Sequence, residues 1–274
     1  MLNMKKGLFV AVVAALLMAL AACGGKSTET SSSSSGGGEA TKKKVVVGTD
    51  AAFAPFEYMQ KGKIVGFDVD LLDAVMKEAG LDYELKNIGW DPLFASLQSK
   101  EVDMGISGIT ITDERKQSYD FSDPYFEATQ VILVKQGSPV KTALDLKGKT
   151  IGVQNATTGQ EAAEKLFGKG PHIKKFETTV VAIMELLNGG VDAVITDNAV
   201  ANEYVKNNPN KKLQVIEDSK NFASEYYGMI FPKNSELKAK VDEALKNVIN
   251  SGKYTQIYQK WFGKEPKLDR LKQQ

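Results

Sequence analysis

Apolar positions along this chain recur in two periods, and the switches between them divide it into strands and helices. Val45 to Thr49 is a β-branched apolar run that ends at Asp50, the pattern of a buried strand opening into a polar loop. Val69, Leu72, Val75, Met76 and Ala79 then recur at helical spacing, which predicts a helix capped by Asp68 and stopped at Gly80. Tyr83 to Asn87 reads as a short strand. Asp91-Pro92, a cap followed by proline at the first helical position, opens a helix through Leu97. Asp103 to Ser107 is the next strand. Strand, helix, strand, helix, strand predicts a parallel sheet with helices on its faces.

Thr129 to Lys135 is a strand able to carry the chain out of this unit, and a second alternation follows it. Its strands are Thr150 to Val153, Lys174 to Glu177, Val191 to Ile195 and Leu213 to Ile216. Its helices run from Thr158 to Phe167, Thr179 to Leu187 and Asn198 to Lys206. A strand from Tyr226 to Phe231 and helices near Ser235 to Ile249 and Tyr254 to Trp261 close the chain. If that strand returns to the first unit, two segments cross between units, near Glu127 to Val131 and Glu225 to Gly228. Two crossings make a hinge. Ligands of open α/β sheets sit beyond the carboxyl ends of strands. Asp50, Ser107, the Gln154 to Thr158 loop and Asp197 all follow predicted strands, which points to a cleft between the two units.

Composition adds one residue to this picture. Lysine and arginine number 35, yet only Arg115 and Arg270 are arginine. Arg270 lies in the charged C-terminal tail, whereas Arg115 ends the polar run Ser107-Gly108-Ile109-Thr110-Ile111-Thr112-Asp113-Glu114-Arg115. A guanidinium is a planar fork that matches a carboxylate bidentately. Arg115 is therefore either an anion-recognition residue or the internal partner of Asp113, Glu114 or Asp120.

The N-terminus is an address. Lys5 and Lys6 precede the apolar run Gly7 to Leu20, which is shorter than the roughly 20 residues a spanning helix needs, so residues 1–22 read as a cleaved signal peptide. Leu20-Ala21-Ala22-Cys23 resembles the bacterial lipobox, which implies acylation of Cys23, the sole cysteine. Residues 23–44 form a Ser, Gly and Lys tether expected to be disordered. Net charge is +1, and removing Lys5 and Lys6 leaves the chain near neutral, which argues against a nucleic-acid partner. Gly25-Lys26-Ser27 and Gly148-Lys149-Thr150 both lack the first glycine of a phosphate loop, with Leu20 and Ala143 in its place.

Six segments carry a family resemblance: GTDAAFAPFEY (Gly48 to Tyr58), GFDVDLLDAV (Gly66 to Val75), DMGISGITITDERK (Asp103 to Lys116), FSDPYF (Phe121 to Phe126), LKGKTIGVQNATTG (Leu146 to Gly159) and GGVDAVITD (Gly189 to Asp197). In this order the chain resembles the polar amino-acid solute-binding proteins of bacterial ABC importers, most nearly those for arginine, lysine and histidine. The resemblance implies an α/β, two-lobed, type II periplasmic-binding-protein-like fold with two hinge crossings and the ligand in the interlobe cleft. Lobe 1 would comprise residues 45–130 with 226–274, and lobe 2 residues 131–225. It also implies a lipid-anchored receptor on the outer face of a bacterial membrane, monomeric, that passes an amino acid to a membrane permease. No cofactor or metal is implied.

Carried onto this sequence, the resemblance assigns Arg115 to the ligand α-carboxylate. The Ser107 and Thr110 hydroxyls or backbone, and the Thr157-Thr158 loop, would be further donors. Asp197 would take the α-ammonium, and Gly108 would let the backbone approach without a Cβ. Asp50 would meet the ligand side chain, flanked by Phe53 and Trp90, with Gln154 offering an amide oxygen. This set favours a basic amino acid, with glutamine or another polar amino acid as the alternative. Pro55, Phe56 and Trp261 read as packing residues, Glu57 as a loop brace or ligand contact, and His172 as exposed. A dehydratase on the same fold is a remote alternative, since the chain has no Gly-x-Ser-x-Gly elbow, cysteine nucleophile or spaced metal-ligand cluster.

Overall fold

The computed structural model describes residues 44–271, so the expected signal segment, Cys23 and the tether up to residue 43 lie outside the described residues. The chain opens with β1 (Val45–Thr49) and then makes a small antiparallel sheet of β2 (Ala52–Phe53), β3 (Glu57–Gln60) and β4 (Lys63–Val65). Helix α1 (Phe67–Glu78), β5 (Tyr83–Asn87), α2 (Trp90–Gln98), β6 (Met104–Gly105), α3 (Asp113–Ser118) and β7 (Tyr119–Phe121) follow. β8 (Phe126–Lys135) leaves this unit. Beyond it come β9 (Ile151–Gln154), α4 (Thr158–Phe167), β10 (Ile173–Phe176), α5 (Thr179–Asn188), β11 (Ala193–Asp197), α6 (Asn198–Asn207) and β12 (Leu213–Glu217). β13 (Ser224–Tyr227) returns the chain to β14 (Ile230–Pro232), α7 (Leu237–Asn250), α8 (Lys253–Phe262) and α9 (Leu268–Leu271).

Two sheets organise two lobes. The first has the order β5-β1-β6-β14-β7, with β1 parallel to both neighbours and β14 antiparallel to β6 and β7. Leu71, Leu72, Val75 and Met76 of α1 meet Val241 and Leu245 of α7 and Tyr254 of α8 on one face, and α2 covers the other through Leu93 and Leu97. The second sheet, β10-β9-β11-β8-β12, buries Ile132, Ile151 and Val153 on one side and, against Ile183 of α5, Leu133 and Val194 on the other. Each sheet is thus covered by helices on both faces, as strands this apolar require.

The lobes are joined by β8 and β13. Phe126 to Thr129 of β8 pair antiparallel with Tyr227 to Ser224 of β13, and only from Gln130 onward does β8 pair with β11. One strand therefore belongs to the hinge at its start and to the second sheet at its end.

Several predicted boundaries move, each for a local reason. Gly66, not Asp68, caps α1: its φ is +147°, and a Cβ there would sit 1.8 Å from the Phe56 carbonyl. Asp68 is instead buried within the helix. Gly89 (φ +83°) caps α2, so Pro92 stands at the third helical position, where its missing N–H is still one that no helical carbonyl could accept. The strand expected from Asp103 to Ser107 keeps only Met104 and Gly105, because the chain turns away at Gly108 (φ +53°) into the cleft. The strand expected over Tyr226 to Phe231 is two, broken at Gly228 and Met229 where it passes from hinge to sheet. The strand expected over Val191 to Ile195 is shifted to Ala193–Asp197.

Candidate functional site

All eleven residues singled out from the sequence line one cavity between the lobes, which encloses about 430 Å³ including its open mouth. Its lobe 1 wall is built on two buried acids. The Asp50 N–H donates to Ser107 Oγ (3.0 Å), and that hydroxyl donates to Glu57 Oε1 (2.9 Å). The Gly108 N–H and the Tyr125 hydroxyl donate to Asp68 Oδ2 at 2.9 and 2.8 Å. Burial, and then the neighbouring Asp68, raise Glu57 well above the ordinary carboxylate range, and burial raises Asp68 to about 6. Burial thus disfavours a charge on Glu57, while its Oε2 and the Asp68 Oδ1 are buried with no hydrogen-bond partner among the described residues. Glu57 is both brace and lining. Gly108 cannot be larger, since a Cβ would meet the Phe53 ring at 2.8 Å.

Arg115 comes from α3, whose cap is Thr112: its hydroxyl accepts from the Arg115 N–H at 3.1 Å. The guanidinium Nη1 donates to the Thr110 carbonyl (2.9 Å), and Nη2 donates across the cleft to the Ala156 carbonyl (3.1 Å). It lies over the rings of Trp90 (5.4 Å) and Phe94 (5.5 Å). Arg115 forms no ion pair among the described residues, and Asp120, one expected rival partner, is held by Lys233 at 2.9 Å. Of the two readings open from the sequence, internal pairing is the one the geometry disfavours.

The lobe 2 wall differs from expectation in polarity. Gln154 ends β9, and its Oε1 accepts from Thr179 Oγ1 (3.1 Å) while its Nε2 donates to the Glu177 carbonyl (3.1 Å) and across the cleft to Asp50 Oδ2 (3.2 Å). It offers Asp50 a donor, not the expected free oxygen. Thr157 is spent as the cap of α4, accepting from the Gln160 N–H (3.3 Å) and donating to the Gln154 carbonyl (2.8 Å). The Ser107, Thr110 and Thr158 hydroxyls, expected as donors to a carboxylate, all give their hydrogens to acids: Ser107 to Glu57, and Thr110 and Thr158 to Glu225. What remains beside Arg115 is the start of α4 at Thr158, where the first-turn N–H groups have no helical acceptor and favour an anion.

Asp197 stands at the end of β11, where its Oδ1 accepts from Gln130 Nε2 at 3.1 Å. Burial first, and then the Glu225 carboxylate, raise it to about 7. Asp50 is likewise raised, mainly by burial. Sequence reasoning missed Gln130, Thr179, Ile195 and Thr196 in the lining and Glu225 behind it. Gln130 had a signal, as the polar head of the apolar run Val131 to Val134. Glu225 had none, being one acid in a mixed polar stretch.

Over residues 45–264 the sequence matches the bacterial extracellular solute-binding proteins, family 3. The chain belongs to this family. Among family-3 relatives, a probable histidine-binding protein of Neisseria gonorrhoeae is 45% identical over 223 residues, 80% of this chain and 83% of that one. The arginine-binding extracellular protein ArtP of Bacillus subtilis is 38% identical over 80% of this chain and 86% of its own. A crystal structure of the arginine-, lysine-, histidine-binding protein ArtJ from Geobacillus stearothermophilus is 98% identical, with a TM-score of 0.83, over 84% of this chain and 100% of that one. A family-3 solute-binding protein is built to hold a small solute between its lobes, and the cavity lies there.

Proposed function

We propose that this chain is an extracytoplasmic receptor that binds a basic L-amino acid, arginine with lysine and histidine beside it, and delivers it to an ABC importer. The charge of the cavity carries this reading. Besides Glu57, which is fully buried and engaged by Ser107, two carboxylates, Asp50 and Asp197, line the cavity with one guanidinium, Arg115. A basic amino acid brings the complement, two cations and one anion. Glutamine brings one of each and would leave the buried Asp50 without a counter-charge, which costs free energy. The relatives named for arginine, lysine and histidine support the same choice.

In this reading Arg115 and the α4 N-terminus take the α-carboxylate, Asp197 takes the α-ammonium, and Asp50 takes the side-chain cation along the Phe53 ring, with Trp90 beneath Arg115. Charge-assisted hydrogen bonds contribute roughly 1.5–3 kcal/mol each, so three of them approach the roughly 8 kcal/mol of micromolar binding. The lobes are assigned as residues 45–130 with 226–274 and residues 131–225, closing about β8 and β13. We read Cys23 as the acylated anchor, the receptor as a monomer, and its role as binding without catalysis.

Isothermal titration of the protein with the twenty amino acids tests the ligand. Arginine, lysine and histidine should bind far more tightly than glutamine, and failure of all three to bind below millimolar concentration would sink the proposal. Mass spectrometry of the membrane fraction tests the anchor, and an unmodified Cys23 there would refute it.

A further inference from the structure

Glu225 stands on the returning hinge strand β13, outside the residues that the family resemblance assigned, yet it gathers donors from both lobes. Its Oε2 accepts from Thr110 Oγ1 of lobe 1 at 3.0 Å and from Thr158 Oγ1 of lobe 2 at 2.7 Å, with Gln130 Nε2 at 3.4 Å. A hydroxyl has one hydrogen and two lone pairs. Once both hydrogens point at Glu225, neither threonine can donate to the other, although their oxygens lie 3.5 Å apart. Neither can donate to a ligand. Gln130 Nε2 is occupied in the same way, by Asp197 Oδ1 (3.1 Å) and Thr158 Oγ1 (3.2 Å). Among these side chains, what is left for a ligand on the hinge side of the cavity is acceptors: the Thr110 and Thr158 oxygens and the Asp197 carboxylate.

An α-ammonium has three N–H donors and no acceptor, and a carboxylate has the reverse. We propose that Glu225 is a positioning residue that turns Thr110 and Thr158 into acceptors, so that these two hydroxyls join Asp197 in reading the ligand α-ammonium and leave the carboxylate to Arg115 and the α4 N-terminus. The inference rests on the amino-acid reading above and adds to it how the amino group is told from its absence.

Three ligands separate the groups: L-arginine, 5-guanidinopentanoate, which lacks the amine, and agmatine, which lacks the carboxylate. Titration of each into wild type, Glu225→Ala, Glu225→Gln and Thr110→Val, all checked for folding by thermal melting, gives the test. Glu225→Ala should weaken arginine and agmatine roughly tenfold or more, the scale of one charge-assisted hydrogen bond. Binding of 5-guanidinopentanoate should change by less than about threefold. Glu225→Gln, which keeps an acceptor oxygen, should fall between wild type and Glu225→Ala. Thr110→Val should repeat the pattern while keeping the Glu225 carboxylate in place. Equal losses for all three ligands would overturn the proposal and make Glu225 a determinant of closure alone. Selective loss of 5-guanidinopentanoate in Thr110→Val would overturn it too, by placing that hydroxyl on the carboxylate. Failure of wild type to bind arginine is a separate result, which removes the functional reading and this inference with it.

Discussion

Replacing Asp50 by asparagine changes one charge with little change of shape. Asp50 is 7% exposed, and its Oδ2 accepts from Gln154 Nε2 across the cleft at 3.2 Å. Burial raises its pKa, and the nearby Glu177 and Asp91 add to the rise, so without a cationic partner its charge is held at a cost. A ligand guanidinium or ammonium relieves that cost and gains the attraction. Removing one partner of a buried, hydrogen-bonded charge pair typically costs about 2–5 kcal/mol. The cleft opens to solvent, so the lower part of that range applies, and Asp50→Asn should weaken arginine and lysine roughly 30- to 300-fold.

Glutamine should respond differently. Its side chain brings no cation, and the substituted amide still offers an oxygen, so its affinity should stay within about threefold or improve. The free protein should melt at a higher temperature, because an under-compensated buried charge has gone. Calorimetric titration of arginine, lysine and glutamine into both proteins, with melting curves of each alone, measures all of this. A parallel loss for arginine and glutamine would refute the argument, since Asp50 would then act on the shared head group or on closure.

Arg115→Lys should weaken arginine, lysine and histidine by a similar factor, roughly 10- to 100-fold, because an ammonium cannot span the Thr110 and Ala156 carbonyls and a carboxylate together; unchanged affinities by titration would remove Arg115 from the head-group role. The pH dependence has a definite sign. Asp68 and Asp197 are raised in the folded protein to about 6 and about 7 from an ordinary 3.8, so between these limits the folded state holds more protons than the unfolded state. Stability of the free protein should therefore be full near pH 4, decline as pH rises through 6 to 7, and show as a falling melting temperature. With the α-ammonium on Asp197 as proposed, arginine binding needs Asp197 ionised, so the melting shift it produces should grow over the same interval; a shift independent of pH would refute this. Leu271, 8% exposed, packs from α9 into the lobe 1 core, and Leu271→Ala should cost about 2 kcal/mol, the low end for a buried leucine, by denaturant unfolding. An unchanged midpoint would show that α9 contributes nothing to that core.

The alternation of strands and helices was readable because many of the strands are short apolar runs and the longer helices have a single buried stripe, whereas α3 buries no residue and gave no such signal. Helix α4 begins and ends where its pattern predicts, at Thr158 and Phe167. What was not readable has a common cause in backbone geometry. Gly66 and Gly89 start helices through positive φ angles that no apolar period reports, so Asp68 and Asp91 looked like caps by residue type. The sheet of β2, β3 and β4 is short and half exposed, which leaves too few alternating positions to register as strands. The split between β13 and β14 falls at Gly228, where a Cβ would meet Ile111 at 2.9 Å, a close approach visible only once the lobes are folded.

Most of the cavity residues were legible for a stronger reason than their neighbours: they stand at or near a strand end, and the α/β architecture brings such ends together; Arg115, on α3, was legible instead as a rare arginine. Their polarity was not. Whether Gln154 offers oxygen or nitrogen depends on Thr179, 25 residues away, which takes the oxygen. Whether Thr158 and Thr110 donate or accept depends on Glu225, 67 and 115 residues away. A pattern along the chain can place a hydroxyl at a cleft, but the direction of its single hydrogen is set by the best acceptor the fold brings to it. Two family members with identical lining residues could therefore read a ligand's ends differently if one lacks the hinge carboxylate, and exchanging residue 225 alone between them would be enough to show it.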